Sequence, residues 1–179
     1  MPEAPLSPSD LRRLLLECGA VKFGHFRLTS GRESDVYVDV KQAWTRPERL
    51  RAIALALASR VQGESLLGGI ELGAVPLVVA TSLETGLPYV VVRKPGREHG
   101  TARAYEGEIA AGAHCLLIED VVTTGGSVAA TVELLRTAGA RLERVVTVID
   151  REEGGRERLS ALGVQLEALE TLSHLRAAT

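Results

Sequence analysis

The sequence predicts an α/β fold, a mostly parallel central sheet flanked by helices. Three observations predict it. From about residue 66 onward, short apolar runs alternate with single helical patterns, and that spacing builds parallel strands joined by crossovers. Residues 88–93 (PYVVVR) stay apolar until Arg93, as a strand covered on both faces should. Lastly, the polar clusters Glu71, Arg93-Lys94, Glu119-Asp120 and Asp150-Arg151 all fall at the carboxyl ends of predicted strands, where open α/β sheets bind ligands.

Taken in order, residues 9–19 read as a helix that Ser9 caps, with Leu11, Leu14, Leu15 and Cys18 on one face. Two short strands are predicted at 25–29 and 35–41; in the second, Val36, Val38 and Val40 alternate with Tyr37 and Asp39. Thr45 and Pro47 start a helix containing Ile53, Leu55, Leu57 and Val61. A strand at 66–71 ends at Glu71, and Pro76 opens the next helix. After strand 88–93, residues 95–108 are charged, glycine-containing and aperiodic, which reads as a mobile surface loop. Strand 114–119, a helix at 126–138, strand 144–150 and a short helix at 155–162 follow. The tail, 164–179, holds one more strand and a short helix. There is no internal repeat or linker, so residues 1–179 are expected to form a single domain.

Composition narrows the function. A formal net charge of −2 and a pI of about 6.1 give no bulk positive charge for nucleic acid. Cys18 and Cys115 lie far apart in apolar settings and read as buried free thiols. The four histidines lack metal-ligand spacing, and HExxH is absent. With no signal-peptide pattern and no apolar run near ~20 residues, a soluble cytoplasmic protein without membrane contact is expected.

Residues 115–128, CLLIEDVVTTGGSV, are the most informative stretch. An apolar run meets Glu119 and Asp120, then a Thr-Thr-Gly-Gly-Ser turn, then a helix. GxxxxGK[ST] and GxGxxG are absent, which disfavours triphosphate and dinucleotide sites and leaves a monophosphate cradle beside carboxylates. The residues alone leave plainer readings open. The acids could be a strand exit and helix cap; Glu71–Ala74, an ordinary strand-helix turn; the basic loop, a solvated surface. Lys22 could be a surface lysine, and Arg151 an ion-pair partner of Asp150 or Glu152. Phe23 and Phe26 read as core, Trp44 as packing.

LLIEDVVTTGGS (116–127) resembles the phosphoribosyl pyrophosphate (PRPP) signature of the type I phosphoribosyltransferases. FGHFRLTSGRESDVYVDVK (23–41), ELGAVPL (71–77), VVRKPGREHGT (91–101) and VIDREEGG (148–155) resemble that family's orotate branch, so the likeness spans nearly the whole chain. It implies the type I phosphoribosyltransferase fold, with a small N-terminal hood at about 1–45, a mobile loop at about 95–108 and transfer of ribose 5-phosphate from PRPP to orotate. By the resemblance, Glu119 and Asp120 hold the ribose hydroxyls and favour positive charge on the ring. The signature from Val121 and Val122 through Thr123, Thr124, Gly125, Gly126 and Ser127 cradles the 5-phosphate. Glu71, Leu72, Gly73 and Ala74 form the diphosphate turn. Arg93, Lys94, Arg97 and His99, with Arg103, clamp the diphosphate. Lys22, Thr123 and Arg151 face orotate. Mg²⁺ is implied near Glu119 and Asp120, mostly through substrate and water, as is a homodimer with shared active sites. One departure stands out: the family usually has a catalytic lysine where this chain has Arg97, and arginine keeps the charge but does not deprotonate. The rivals are a phosphoribosyltransferase for a purine base, and a non-catalytic PRPP-sensing regulator, which only Arg97 favours.

Overall fold

The computed structural model describes residues 4–27, 33–93 and 104–179. Helix α1 (Pro8–Glu17) starts earlier than the sequence suggests, because Ser7 rather than Ser9 is the N-cap and accepts from Asp10 N–H. Pro8 makes that start possible, since its missing N–H costs nothing in the first turn. Strands β1 (Val21–Arg27) and β2 (Glu33–Val38) form an antiparallel pair, both beginning before the predicted 25–29 and 35–41. Their register slips between Phe23 and Phe26, which obscures the alternation of β1. The end of the predicted second strand turns instead into a short helix, α2 (Lys41–Trp44), followed by α3 (Pro47–Ala58).

The remaining elements are β3 (Leu66–Ile70), α4 (Val75–Thr85), β4 (Tyr89–Val92), β5 (Tyr105–Glu106), β6 (His114–Val122), α5 (Gly126–Thr137), β7 (Arg141–Asp150), α6 (Gly155–Ser160), β8 (Gln165–Thr171) and α7 (Leu172–Arg176). The described strands of this part form one sheet in the order β5-β4-β3-β6-β7-β8, parallel except for β5. Most of the predicted loop at 95–108 lies outside the described residues. Within its described part, Tyr105 and Glu106 are strand rather than loop, because they pair antiparallel with β4.

Period-2 alternation divides the sheet's side chains between two cores. Leu67, Leu116, Ile118, Val146 and Val148 pack with α1, α3, α4 and the β1–β2 pair, Leu15, Val21, Val36, Ile53 and Leu77 among them. Cys115, Leu117 and Val145 face the other way, against Val132 and Leu135 of α5 and Leu159 of α6. Phe23 and Trp44 sit at the edge of the first core, as packing residues. No helix among the described residues is long and apolar enough to cross a membrane.

Candidate active site

Strand order sets the site. From β3 the chain moves to β4 on one side, then returns to β6 on the other, so the β3/β6 boundary is a topological switch point. The β3–β6 ladder ends at Gly69↔Ile118, while β6 continues alongside β7 to Val122↔Asp150. Residues 119–122 are therefore paired on the β7 side, and their other edge is open toward the turn after β3.

Glu119 and Asp120 consequently lie inside β6, not at its end as the sequence suggests; the valines after them extend the strand. Glu119 is 6% exposed and accepts the Asp120 N–H at 3.0 Å. Asp120 is half-buried, and its Oδ1 accepts the Val121 N–H at 2.8 Å. A Cβ on Gly73 would overlap the Asp120 carboxylate. Gly73 thus admits the Asp120 carboxylate against the Glu71–Ala74 turn, whose Glu71–Leu72 peptide is cis. The switch point brings together two motifs 46 positions apart in sequence, counting from Ala74 to Asp120.

The turn after β6 leads into α5. Gly125 is the N-cap with φ 73°, a conformation that favours glycine. Its Cα hydrogen side packs on Gly155, where a Cβ would lie 2.7 Å from the Thr123 carbonyl oxygen. Two glycines thereby dock the loop onto the start of α6. The twelve-residue α5 directs its N-terminus at this turn. Arg158 of α6, which sequence reasoning did not single out, brings its Nη1 to 3.4 Å from where a Gly126 Cβ would stand.

Beside the loop is a cleft of about 600 Å³ lined by Glu33, Ser34, Asp35, Val36, Thr123, Thr124, Arg151, Glu153 and Leu172. Thr123 and Arg151 both line it. Arg151 pairs with Glu153 at 2.6 Å, not with Asp150 or Glu152. Asp150 is instead held by Arg156 at 3.1 Å. The Arg151 Nε is buried, and among the described residues nothing accepts its hydrogen. Such an orphan donor suits an anionic ligand. Lys22 is not among the lining residues; it is exposed and folds over Gly19. Asp35, which the sequence did not flag, is held below the usual carboxylate range by its hydrogen bond from Arg176.

Arg93 is exposed and tied to Glu106 at 2.6 Å. Lys94, Arg97, His99 and Arg103 lie outside the described residues. A further cation emerges from the structure: Lys41 bonds Asp39 at 2.8 Å, and its ammonium is pushed upward first by that bond, then by the charges of Asp39 and Asp120. Its place after an alternating strand hid it in the sequence.

The phosphoribosyl transferase domain family matches residues 42–165, which run from α2 to the first residue of β8 and include every turn just described, and the chain belongs to that family. It is 48% identical to the orotate phosphoribosyltransferase of Natronomonas pharaonis over 172 residues, 96% of this chain and 99% of the relative. Among solved structures, orotate phosphoribosyltransferase from Aeropyrum pernix superimposes with a TM-score of 0.83 at 32% identity, covering 94% of this chain and 97% of that one. The Mycobacterium tuberculosis enzyme in complex with PRPP gives 0.76 at 29% identity, covering 94% and 98%. Within the phosphoribosyltransferases, this chain stands with the orotate phosphoribosyltransferases.

Proposed function

We propose that this protein transfers ribose 5-phosphate from PRPP to orotate, giving orotidine 5′-monophosphate and diphosphate. The observation that carries the proposal is the apposition at the switch point: Asp120 against Gly73, beside a cleft holding Thr123 and Arg151. The 5-phosphate sits on the Thr124–Ser127 turn, where backbone N–H groups and the α5 N-terminus favour an anion. The ribose hydroxyls meet Asp120 first and Glu119 behind it. As the bond from C1 to diphosphate breaks and the bond to orotate N1 forms, the ring gains cationic character, which these carboxylates stabilise.

Diphosphate leaves along Glu71–Ala74, with Arg93, Lys94, Arg97 and His99 supplying positive charge and Lys41 adding to it from α2. The orotate carboxylate takes the Arg151 guanidinium, displacing Glu153, whose side chain is 37% exposed and free to swing outward. Lys22 belongs to the orotate side only if its exposed side chain turns from Gly19 toward the cleft. Among the described residues, no three His, Cys, Asp or Glu side chains gather as a metal cage. A magnesium ion beside Glu119 and Asp120 would rest mostly on substrate oxygens and water, and would neutralise diphosphate charge. A homodimer with shared sites belongs to the same reading.

Diphosphate release from PRPP and Mg²⁺, measured with orotate, uracil, hypoxanthine, guanine and adenine in turn, tests the proposal. Release with orotate alone is expected. Release with a purine moves the chain to the purine branch, and release with none, despite PRPP binding, makes it a PRPP-sensing regulator.

A further inference from the structure

We infer that Glu152 is a positioning residue that fixes Arg151 for the base through the C-terminal helix α7, an inference that rests on the orotate role proposed for Arg151. The loop after β7 is held from both sides. Asp150 is 1% exposed; one carboxylate oxygen accepts from Arg156 at 3.1 Å, and the other accepts the Glu152 N–H at 2.9 Å. The Glu152 carboxylate reaches the opposite way, accepting the Ser173 N–H at 2.8 Å and the Ser173 hydroxyl at 3.0 Å. Arg151 lies between these two anchors.

The backbone at Glu152 explains why a glutamate there is informative. Its φ is 59°, and among the described residues it is the one non-glycine with positive φ. That conformation favours glycine, which occupies Gly154 two positions later with φ 91°. A turn needing only its shape would be better served by glycine. The glutamate contributes its carboxylate, and that carboxylate goes to α7.

α7 is a firm anchor. Leu175 is 0% exposed in the first core, and the Thr171 hydroxyl caps the helix at His174 N–H. The helix also meets the opposite wall of the cleft: Arg176 bonds Asp35 of β2 at 2.8 Å and lies 5.2 Å over the Phe23 ring. Leu172 lines the cleft between them. One short helix thus joins the Arg151 loop to the β1–β2 pair and sets the distance across the base-side cleft. A planar, two-pronged arginine–carboxylate contact depends on such fixed geometry.

The test is steady-state kinetics of Glu152→Gly, Glu152→Gln and Arg151→Ala, with thermal unfolding of each. Glycine keeps the φ 59° turn without strain and removes only the clamp. Glu152→Gly is expected to raise the orotate KM about tenfold, the scale of a lost hydrogen-bonded clamp, with PRPP KM and kcat within about threefold. Glu152→Gln, which keeps an acceptor for Ser173, should restore most of the orotate KM. An unchanged orotate KM in Glu152→Gly, while Arg151→Ala raises it, overturns the inference and leaves the orotate reading standing. Equal rises in both KM values with a fall in kcat would reduce Glu152 to a purely structural role. If Arg151→Ala itself leaves the orotate KM unchanged, the reading of Arg151 fails first, and the inference with it.

Discussion

Asp120 and Gly73 show how far single residues could be read in advance. The sequence marks both, but for separate reasons: an acid in a signature, and a glycine in the turn that the resemblance assigns to diphosphate. The structure joins them, because the space a Gly73 side chain would need is filled by the Asp120 carboxylate. No local pattern connects positions 73 and 120; only strand order does. Gly73→Ala should therefore act on the acid, cutting kcat by about 100-fold, comparable to Asp120→Asn and to the loss of one transition-state electrostatic group. Near-parental turnover in Gly73→Ala, measured by diphosphate release, would mean that the acid tolerates displacement. The Arg151–Glu153 pair was hidden for a simpler reason. Three acids surround Arg151 in sequence (Asp150, Glu152 and Glu153), and backbone geometry alone decides which one it meets.

At the scale of elements, the parallel strands were the most legible, because strands buried on both faces are apolar throughout, although β4, expected to be covered on both faces, leaves Tyr89 39% exposed. The exceptions have physical causes. β6 runs three residues beyond its predicted end because Val121 and Val122 resume apolar pairing with β7 after two acids, an interruption that reads as a turn. β5 is two residues long and paired on one side, too short for any periodicity. Packing of β6 also has a pH consequence. Burial, reinforced by the Glu64 charge, pushes the Cys115 thiol up to about 12 from its ordinary 9.0. The folded state thus keeps a proton that the unfolded chain gives up, so this contribution is complete below pH 9 and is lost as pH rises toward 12. Urea unfolding from pH 8 to 10.5 should show stability falling more steeply in the parent than in Cys115→Ala. Parallel slopes in the two proteins would contradict the burial account.

For the whole molecule, function follows from where the chain reverses direction across the sheet. Glu71, Arg93 and Asp150-Arg151 do fall at the carboxyl ends of their strands, while Glu119 and Asp120 lie just inside the end of β6. Which clusters would face each other was not legible, since that depends on β3 lying between β4 and β6. Nor was the tie from α7 to both walls of the cleft, which rests on contacts such as Arg176 to Asp35, 141 positions apart. The central claim is that the pentose phosphate binds at the β3/β6 switch. A crystal structure of the protein soaked with PRPP and Mg²⁺ tests it most directly. The account predicts the 5-phosphate on the Thr124–Ser127 turn and a ribose hydroxyl on Asp120. Well-ordered PRPP bound elsewhere, with Asp120 still packed on Gly73 and away from the sugar, would contradict it.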